Sequence, residues 1–313
     1  MSPALPDSAK SRFFGLTAAV HTPFDSHGAI DSGQVAPLAA HLASTGVTSV
    51  FVAGTTGEGL SLTDDERRAL TTAWAEAGRV YKLPVVIHVG GNSLESARQL
   101  AAQASAEGVE AFAMLSPHFF KPATVDHLVD ACARVAEAAP DLPFYYYDIP
   151  ALTGVSFPML AWLERAADCI PNLAGIKYTN PDLAGMLECL AYAEGRFDIL
   201  YGNDESLLAG LSLGCVGAVG SSYGFAAPLY HRLLDAFVAG DLDSARMWQL
   251  RSAQMIRTIA AYGYPAAAKA TMELVGIPVG GVRAPLGDLD RDARARLRGD
   301  LDALGFFAWI RSS

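Results

Sequence analysis

Short apolar runs alternate along the chain with longer stretches in which apolar residues recur every three or four positions. The runs Leu16–Val20, Ser49–Val52, Val85–Val89, Ala111–Leu115, Phe144–Tyr147, Leu173–Lys177, Asp198–Tyr201 and Ala218–Gly220 read as strands. Helical period fills Ser32–Thr45, Glu66–Gly78, Leu94–Ala106, Val125–Ala139, Pro158–Ala166, Pro181–Ala193, Glu205–Leu213 and Ala227–Ala239. Thr63 before Asp64-Asp65-Glu66, Ser93 before Glu95, and Pro181-Asp182 are helix-starting residues, since a short polar side chain can satisfy an unpaired N–H of the first turn. Strands apolar on both faces belong to a sheet covered by helices. Eight such units in about 240 residues predict an α/β fold, a closed (β/α)8 TIM barrel, in preference to an open doubly wound sheet. An open sheet would carry a phosphate-binding glycine signature after its first strand, where this chain has His21-Thr22-Pro23-Phe24. Beyond Gly240 helical period continues alone to Leu304. Residues 1–240 are therefore expected to form the barrel and 241–313 a C-terminal helical extension packed on it, a single domain overall.

Composition narrows the setting. Of 313 residues, 51% are hydrophobic, which suits a large buried core. No apolar run reaches the ~20 residues of a membrane span. The first residues lack the basic and apolar segments of a secretory leader. Cys132, Cys169, Cys189 and Cys215 are scattered without a CxxC pair, and read as buried thiols in a reducing compartment. The expectation is a soluble, cytoplasmic protein. A net charge of −10 argues against a nucleic-acid partner. Only Lys10, Lys82, Lys121, Lys177 and Lys269 occur, so lysine chemistry has few candidates.

In a barrel, the C-terminal strand ends and the loops after them build the site. Lys177 closes the apolar run Leu173-Ala174-Gly175-Ile176, so its amine is expected at the barrel mouth. Apolar walls disfavour its charge and free the amine as a nucleophile; the alternative is a snorkelling surface lysine. Lys82 follows a helix, Lys121 sits in a loop, and Lys269 lies in a helical alanine-rich stretch, with no comparable setting. Tyr147 ends the fifth strand, where its hydroxyl can shuttle protons; the alternative is a packing residue, one of three consecutive tyrosines. Gly54-Thr55-Thr56-Gly57-Glu58-Gly59 follows the second strand. Its glycines permit positive φ, so backbone N–H groups and threonine hydroxyls can converge on a carboxylate; an ordinary turn is the alternative. Gly202-Asn203-Asp204-Glu205 offers carboxylates to sugar hydroxyls, although Asp204 would also serve as a helix cap. Gly220-Ser221-Ser222 reads similarly. His21 and His88 lack metal-ligand spacing and are expected in the core or behind the site.

Taken together, Thr22-Pro23-Phe24, the GTTGE run, Tyr147-Asp148-Ile149-Pro150, Gly175-Ile176-Lys177 and Gly220-Ser221 resemble the dihydrodipicolinate synthase/N-acetylneuraminate lyase family of class I aldolases over nearly the whole chain. The resemblance implies Lys177 and Tyr147 as catalytic residues and Thr55 and Thr56 as holders of a pyruvate carboxylate. Two departures turn it away from the synthase branch. Leu152 stands where the synthases have an arginine for a second carboxylate, and Phe119 stands where they have a relay tyrosine. The lyase branch matches at Ile149–Gly154, at Thr179, at Gly202, Asp204 and Glu205 as sugar-chain contacts, and at Gly220 and Ser221. Asp148 and Ser222 depart from it, and Asp148 would place a negative charge near an anionic substrate.

The implied reaction is cleavage of N-acetylneuraminate to pyruvate and N-acetylmannosamine through an imine on Lys177, needing no metal or organic cofactor. Alternatives are another pyruvate-dependent class I aldolase, such as a 2-keto-3-deoxy sugar-acid aldolase or hydratase-aldolase, a metal-dependent aldolase, dihydrodipicolinate synthase, or a non-catalytic keto-acid-binding homologue. The implied partners are small-molecule substrates and further copies of the chain in a homotetramer, with no nucleic acid and no membrane.

Overall fold

The computed structural model describes residues 13–311. Eight parallel strands close in sequence order into a barrel: β1 (Gly15–Ala19), β2 (Ser49–Val52), β3 (Val85–His88), β4 (Ala111–Leu115), β5 (Phe144–Asp148), β6 (Leu173–Tyr178), β7 (Asp198–Tyr201) and β8 (Gly217–Gly220). Helices α1 (Val35–Ser44), α2 (Asp64–Tyr81), α3 (Leu94–Glu107) and α4 (Val125–Ala136) follow the first four strands. A single turn, α5 (Pro150–Thr153), precedes α6 (Met159–Cys169); α7 (Leu183–Ala191), α8 (Leu207–Ser212) and α9 (Tyr223–Val238) complete the ring. The chain then adds α10 (Leu242–Ala260), α11 (Tyr264–Leu274), α12 (Arg291–Leu304) and α13 (Phe306–Trp309).

Side chains alternate across each strand, and this separates two cores. Tyr145 and Tyr147 pack inside the barrel with Phe51, Leu200 and Val219. Phe144 and Tyr146 face the helices, where the Tyr146 ring lies 4.6 Å from that of buried Trp162 on α6. Three consecutive tyrosines thus have two destinations. Register sets Tyr147 opposite Lys177 on β6, and Lys177 opposite Leu200 on β7. The barrel geometry itself brings the phenol and the amine together.

Helix starts follow the expected chemistry. Thr63 and Glu66 form a reciprocal capping box, and Ser93 and Asp182 each accept an N–H from three residues ahead. The differences have local causes. α9 begins at Tyr223, four residues before the expected Ala227, because the helix tolerates Pro228 by bending at Ala226 (φ −134°). The helical period beyond Gly240 is broken at residues 275–290, where Gly276, Pro278, Gly280, Gly281, Pro285 and Gly287 exclude a continuous helix.

This irregular segment returns to the barrel mouth: Phe24 donates its N–H to the Val279 carbonyl at 3.1 Å. A Cβ at Gly280 (φ +71°) would lie 2.0 Å from the Phe24 carbonyl oxygen. α10 packs along α9 and reaches the turn after β7. Cys132, Cys189 and Cys215 are buried free thiols, but Cys169, at the end of α6, is exposed and corrects the expectation for all four. Among the described residues no helix is long and apolar enough to cross a membrane.

Candidate active site

Lys177 points inward from β6 and is only 4% exposed. Its Nζ lies 3.8 Å from the centre of the Tyr147 ring and 4.1 Å from that of Phe51. Burial draws its pKa below the ordinary 10.5, while the phenol of Tyr147 and the carboxylate of Asp204 oppose the shift. The ring faces offset part of the cost of a buried charge. No carboxylate stands within ion-pair distance of this amine among the described residues. The snorkelling alternative does not fit such a position.

The amine opens on a cavity of about 190 Å³, lined also by Tyr147, Thr55, Thr56 and Thr179. Gly202, Asp204 and Ser221 line its other side. The Tyr147 hydroxyl and Thr55 Oγ1 lie 3.4 Å apart, at the long limit of a hydrogen bond. Ten residues were expected at the site, and eight meet here. Glu205 is exposed just beyond Asp204, outside the lining. Gly220 lies behind Asp204: a Cβ there would come within 2.9 Å of Asp204 Cγ and 2.7 Å of the Tyr223 ring. Gly202 makes room in the same way, since a Cβ would meet Thr179 Oγ1 at 1.9 Å.

The turn after β2 works differently from its sequence reading. Positive φ falls on Ala53 (57°) and Glu58 (53°), not on the glycines of the run. Those glycines answer close approach instead: a Cβ at Gly59 would lie 1.8 Å from the Ala53 carbonyl oxygen. Glu58 is held in its left-handed conformation by Lys269, whose Nζ lies 2.7 Å from Glu58 Oε1, and by the Arg283 N–H, which donates to Oε2 at 2.9 Å. Lys269 also donates to the carbonyls of Thr22 (2.9 Å) and Gly281 (2.7 Å). Contrary to the expectation of an unremarked helical residue, Lys269 is a second buried lysine, tying the first two strand loops to the C-terminal segment.

The histidines separate. His88 is a core residue: its Nδ1 and the Ala53 carbonyl lie 3.1 Å apart, and its Nε2 accepts the Leu115 N–H at 3.2 Å. This pairing fixes a neutral ring, and burial lowers its pKa well below 6.5. His21, expected in the core or behind the site, instead lines the cavity. Burial, aided by the charge of Lys269, lowers its pKa to about 3, and its Nε2 has no hydrogen-bond partner among the described residues. Asp148 points away from the cavity, accepting from Asn180 Nδ2 at 2.9 Å. That corrects the expectation of a charge beside the substrate, and follows from alternation, because its neighbour Tyr147 faces in.

Tyr264 and Pro265 of α11 also line the cavity, and Tyr264 OH lies 2.8 Å from Ser221 Oγ. Neither was expected, for nothing in a helical stretch 44 residues after β8 marks it as returning to the mouth. The proline-and-glycine pattern Gly263-Tyr264-Pro265 was the available signal of a helix start. No group of three or more His, Cys, Asp or Glu side chains among the described residues is arranged to hold a metal.

Residues 12–304 match the Dihydrodipicolinate synthetase family. The chain is 39% identical to the N-acetylneuraminate lyase of Sus scrofa over 307 residues, which cover 96% of each protein. It is 38% identical to that of Rattus norvegicus over 304 residues, covering 96% of this chain and 95% of the relative. Its fold superposes on the Proteus mirabilis N-acetylneuraminate lyase with a TM-score of 0.91 at 38% identity, covering 94% of this chain and 99% of that one. With sequence and fold matched over almost its whole length, the chain belongs to the dihydrodipicolinate synthetase family.

Proposed function

We propose that the protein is an N-acetylneuraminate lyase, a lysine-imine aldolase that cleaves its substrate to pyruvate and N-acetylmannosamine. One observation carries the reading: a buried amine without a carboxylate partner opens on a cavity between a threonine pair and a carboxylate. The names of its relatives give the substrate.

In this reading the neutral Lys177 amine adds to the C2 ketone of the open-chain sugar acid, and loss of water leaves an imine. The protonated imine takes up the electron pair of the breaking C3–C4 bond, while Tyr147 accepts the C4 hydroxyl proton. N-acetylmannosamine leaves as the aldehyde. The enamine is then protonated at C3, and hydrolysis returns the amine and releases pyruvate. Thr55 and Thr56 hold the substrate carboxylate, and Thr179, Gly202, Asp204 and Ser221 face the sugar chain. Every bond in this sequence is made or broken without a metal or organic cofactor.

Leu152 and Phe119 support the lyase over the synthase, since neither can grip a second carboxylate or relay a proton. A homotetramer belongs to the same reading. Phe119 and Phe120, 75% and 85% exposed on the loop after β4, support it as apolar surface for a neighbouring subunit. The test is pyruvate release from N-acetylneuraminate beside a panel of shorter 2-keto-3-deoxy acids. Dominant turnover of a shorter acid would replace the substrate while keeping the chemistry. Failure of borohydride and pyruvate to label Lys177 in folded protein would remove the chemistry itself.

A further inference from the structure

Asp204 is buried at the edge of the cavity, and its surroundings form a closed circuit of hydrogen bonds. Its Oδ2 accepts the Ser222 backbone N–H at 2.8 Å and a very short bond from the Ser222 hydroxyl. Ser222 Oγ lies 2.5 Å from Tyr230 OH, and Tyr230 OH lies 2.7 Å from Ser252 Oγ. Ser252 Oγ then meets the main-chain carbonyl of Asp204 itself at 3.1 Å. The same carbonyl accepts from Gln249 Nε2 at 3.1 Å. The circuit joins the turn after β7, the turn after β8, α9 and α10, and Ser222, Tyr230 and Ser252 are all fully buried.

Both ends of the circuit have a fixed direction, because a carboxylate and a carbonyl only accept: Ser222 Oγ donates to Asp204 Oδ2, and Ser252 Oγ donates to the Asp204 carbonyl. The Tyr230 hydroxyl lies between the two serines and supports both, so one buried cluster fixes the side chain and the main chain of Asp204 together.

We propose that Ser222, Tyr230 and Ser252 are positioning residues that hold Asp204 Oδ2, leaving Oδ1 to accept hydroxyl donors from the polyhydroxylated portion of the substrate. The proposal rests on the functional reading above and deepens it, since it assigns sugar-chain recognition to a relay anchored outside the barrel on α10. The pyruvate half of the site, built on Lys177 and the Thr55–Thr56 turn, does not depend on this relay.

The experiment is a double-mutant cycle between Tyr230→Phe and Asp204→Asn, with Ser252→Ala as a second variant should Tyr230→Phe fold poorly. Tyr230→Phe removes the middle hydroxyl and preserves the ring. The KM for N-acetylneuraminate should rise about fivefold to tenfold, as for loss of one buried hydrogen-bonded support. The rate at which pyruvate and borohydride label Lys177 should stay within about twofold of the parent, because Tyr230→Phe keeps the Asp204 charge that acts on that amine. In the Asp204→Asn background, Tyr230→Phe should change KM by less than about twofold, since coupled residues are non-additive. An unchanged KM in folded Tyr230→Phe protein overturns the proposal. So does a full additional effect in the Asp204→Asn background, which would mean that Tyr230 acts by another route. If the unmutated enzyme instead fails to release pyruvate from N-acetylneuraminate, the substrate assignment falls. The cycle is then read on whichever acid of the panel is cleaved, with the same two outcomes deciding the relay.

Discussion

Two lysines are buried among the described residues, and they make opposite use of similar burial. Lys177 and Lys269 are 4% and 2% exposed, and burial lowers the pKa of each. Lys269 spends its three N–H donors on Glu58 and the carbonyls of Thr22 and Gly281, above the Phe24 ring at 4.1 Å. Lys177 faces two aromatic rings and an open cavity. An ammonium with every donor satisfied is a tie between chain segments. An amine without a carboxylate partner, like Lys177, is freer to lose its proton and react. Burial alone does not mark a nucleophile; burial without a paired carboxylate does.

The most direct way to break this comparison is to exchange each lysine for methionine. Lys177→Met should lower pyruvate release by about 10³-fold or more and abolish the borohydride adduct, since no other group supplies the imine nitrogen. It should not destabilise the fold at neutral pH. The sign follows from linkage: folded Lys177 releases its proton below 10.5, so the unfolded chain binds more protons between the two pKa values. Native stability therefore rises with pH through that window. The stability advantage of Lys177→Met should shrink as pH climbs towards 10.5. A Lys177→Met protein that melts earlier than its parent at pH 7 and keeps turnover would reverse the roles assigned here.

Lys269→Met should do the converse. Removing one partner of a buried, hydrogen-bonded ion pair leaves Glu58 uncompensated and costs about 3–5 kcal/mol. Urea unfolding would read the loss, and combining Lys269→Met with Glu58→Gln should recover part of it. Labelling of Lys177 by pyruvate and borohydride should persist while the protein stays folded. Loss of labelling without loss of stability would place Lys269 in the chemistry.

Tyr147→Phe sharpens the comparison from the other side, for it keeps the ring beneath Lys177 and deletes only the hydroxyl. Turnover should fall about 10²- to 10⁴-fold, the range for one general acid–base group, while the adduct still forms. Rapid-quench kinetics separate the two steps. An unchanged kcat would return Tyr147 to the packing role that the tyrosine run first suggested.

The barrel was legible because its signal is repeated and local: alternation within strands, helical period between them, and capping residues at the joins. Lys177, Tyr147 and the Thr55–Thr56 turn were legible by the same logic, since strand ends point at the mouth. The contributions of α11 and of residues 275–290 were not. Lys269 and Arg283 reach the first strand loops from more than 200 residues away, Tyr264 returns to the loop after β8, and no local pattern encodes either return. The GTTGEG turn was read with the wrong cause for its glycines, because glycine serves close approach as well as positive φ. Asp148 failed for a different reason. Its place beside Tyr147 in sequence suggested proximity to substrate, and the pleat sends neighbours to opposite faces.

Asp148 tests how far an altered pKa can be trusted as a sign of function. It is 1% exposed, and burial raises its pKa from 3.8 to about 6 even though the Asn180 amide stabilises the charged form. On that ground alone it would be taken for a catalytic acid. Its position outside the cavity predicts otherwise: Asp148→Asn should leave kcat and KM unchanged. Its effect belongs to stability. As pH rises through 3.8 the unfolded chain gives up this proton while the folded protein keeps it to about 6, so native stability falls across that window. Above pH 6 the full cost is present, with an upper bound of about 3 kcal/mol for a shift of about two units. Asp148→Asn removes the charge but leaves the introduced amide N–H in need of an acceptor, so a gain of about 1–2 kcal/mol is expected at pH 8. The gain should vanish near pH 3.8. Urea titrations at the two pH values decide it. A fall in kcat with no pH-dependent change in stability would put this carboxylate in the reaction, and proximity in sequence would have been the better guide.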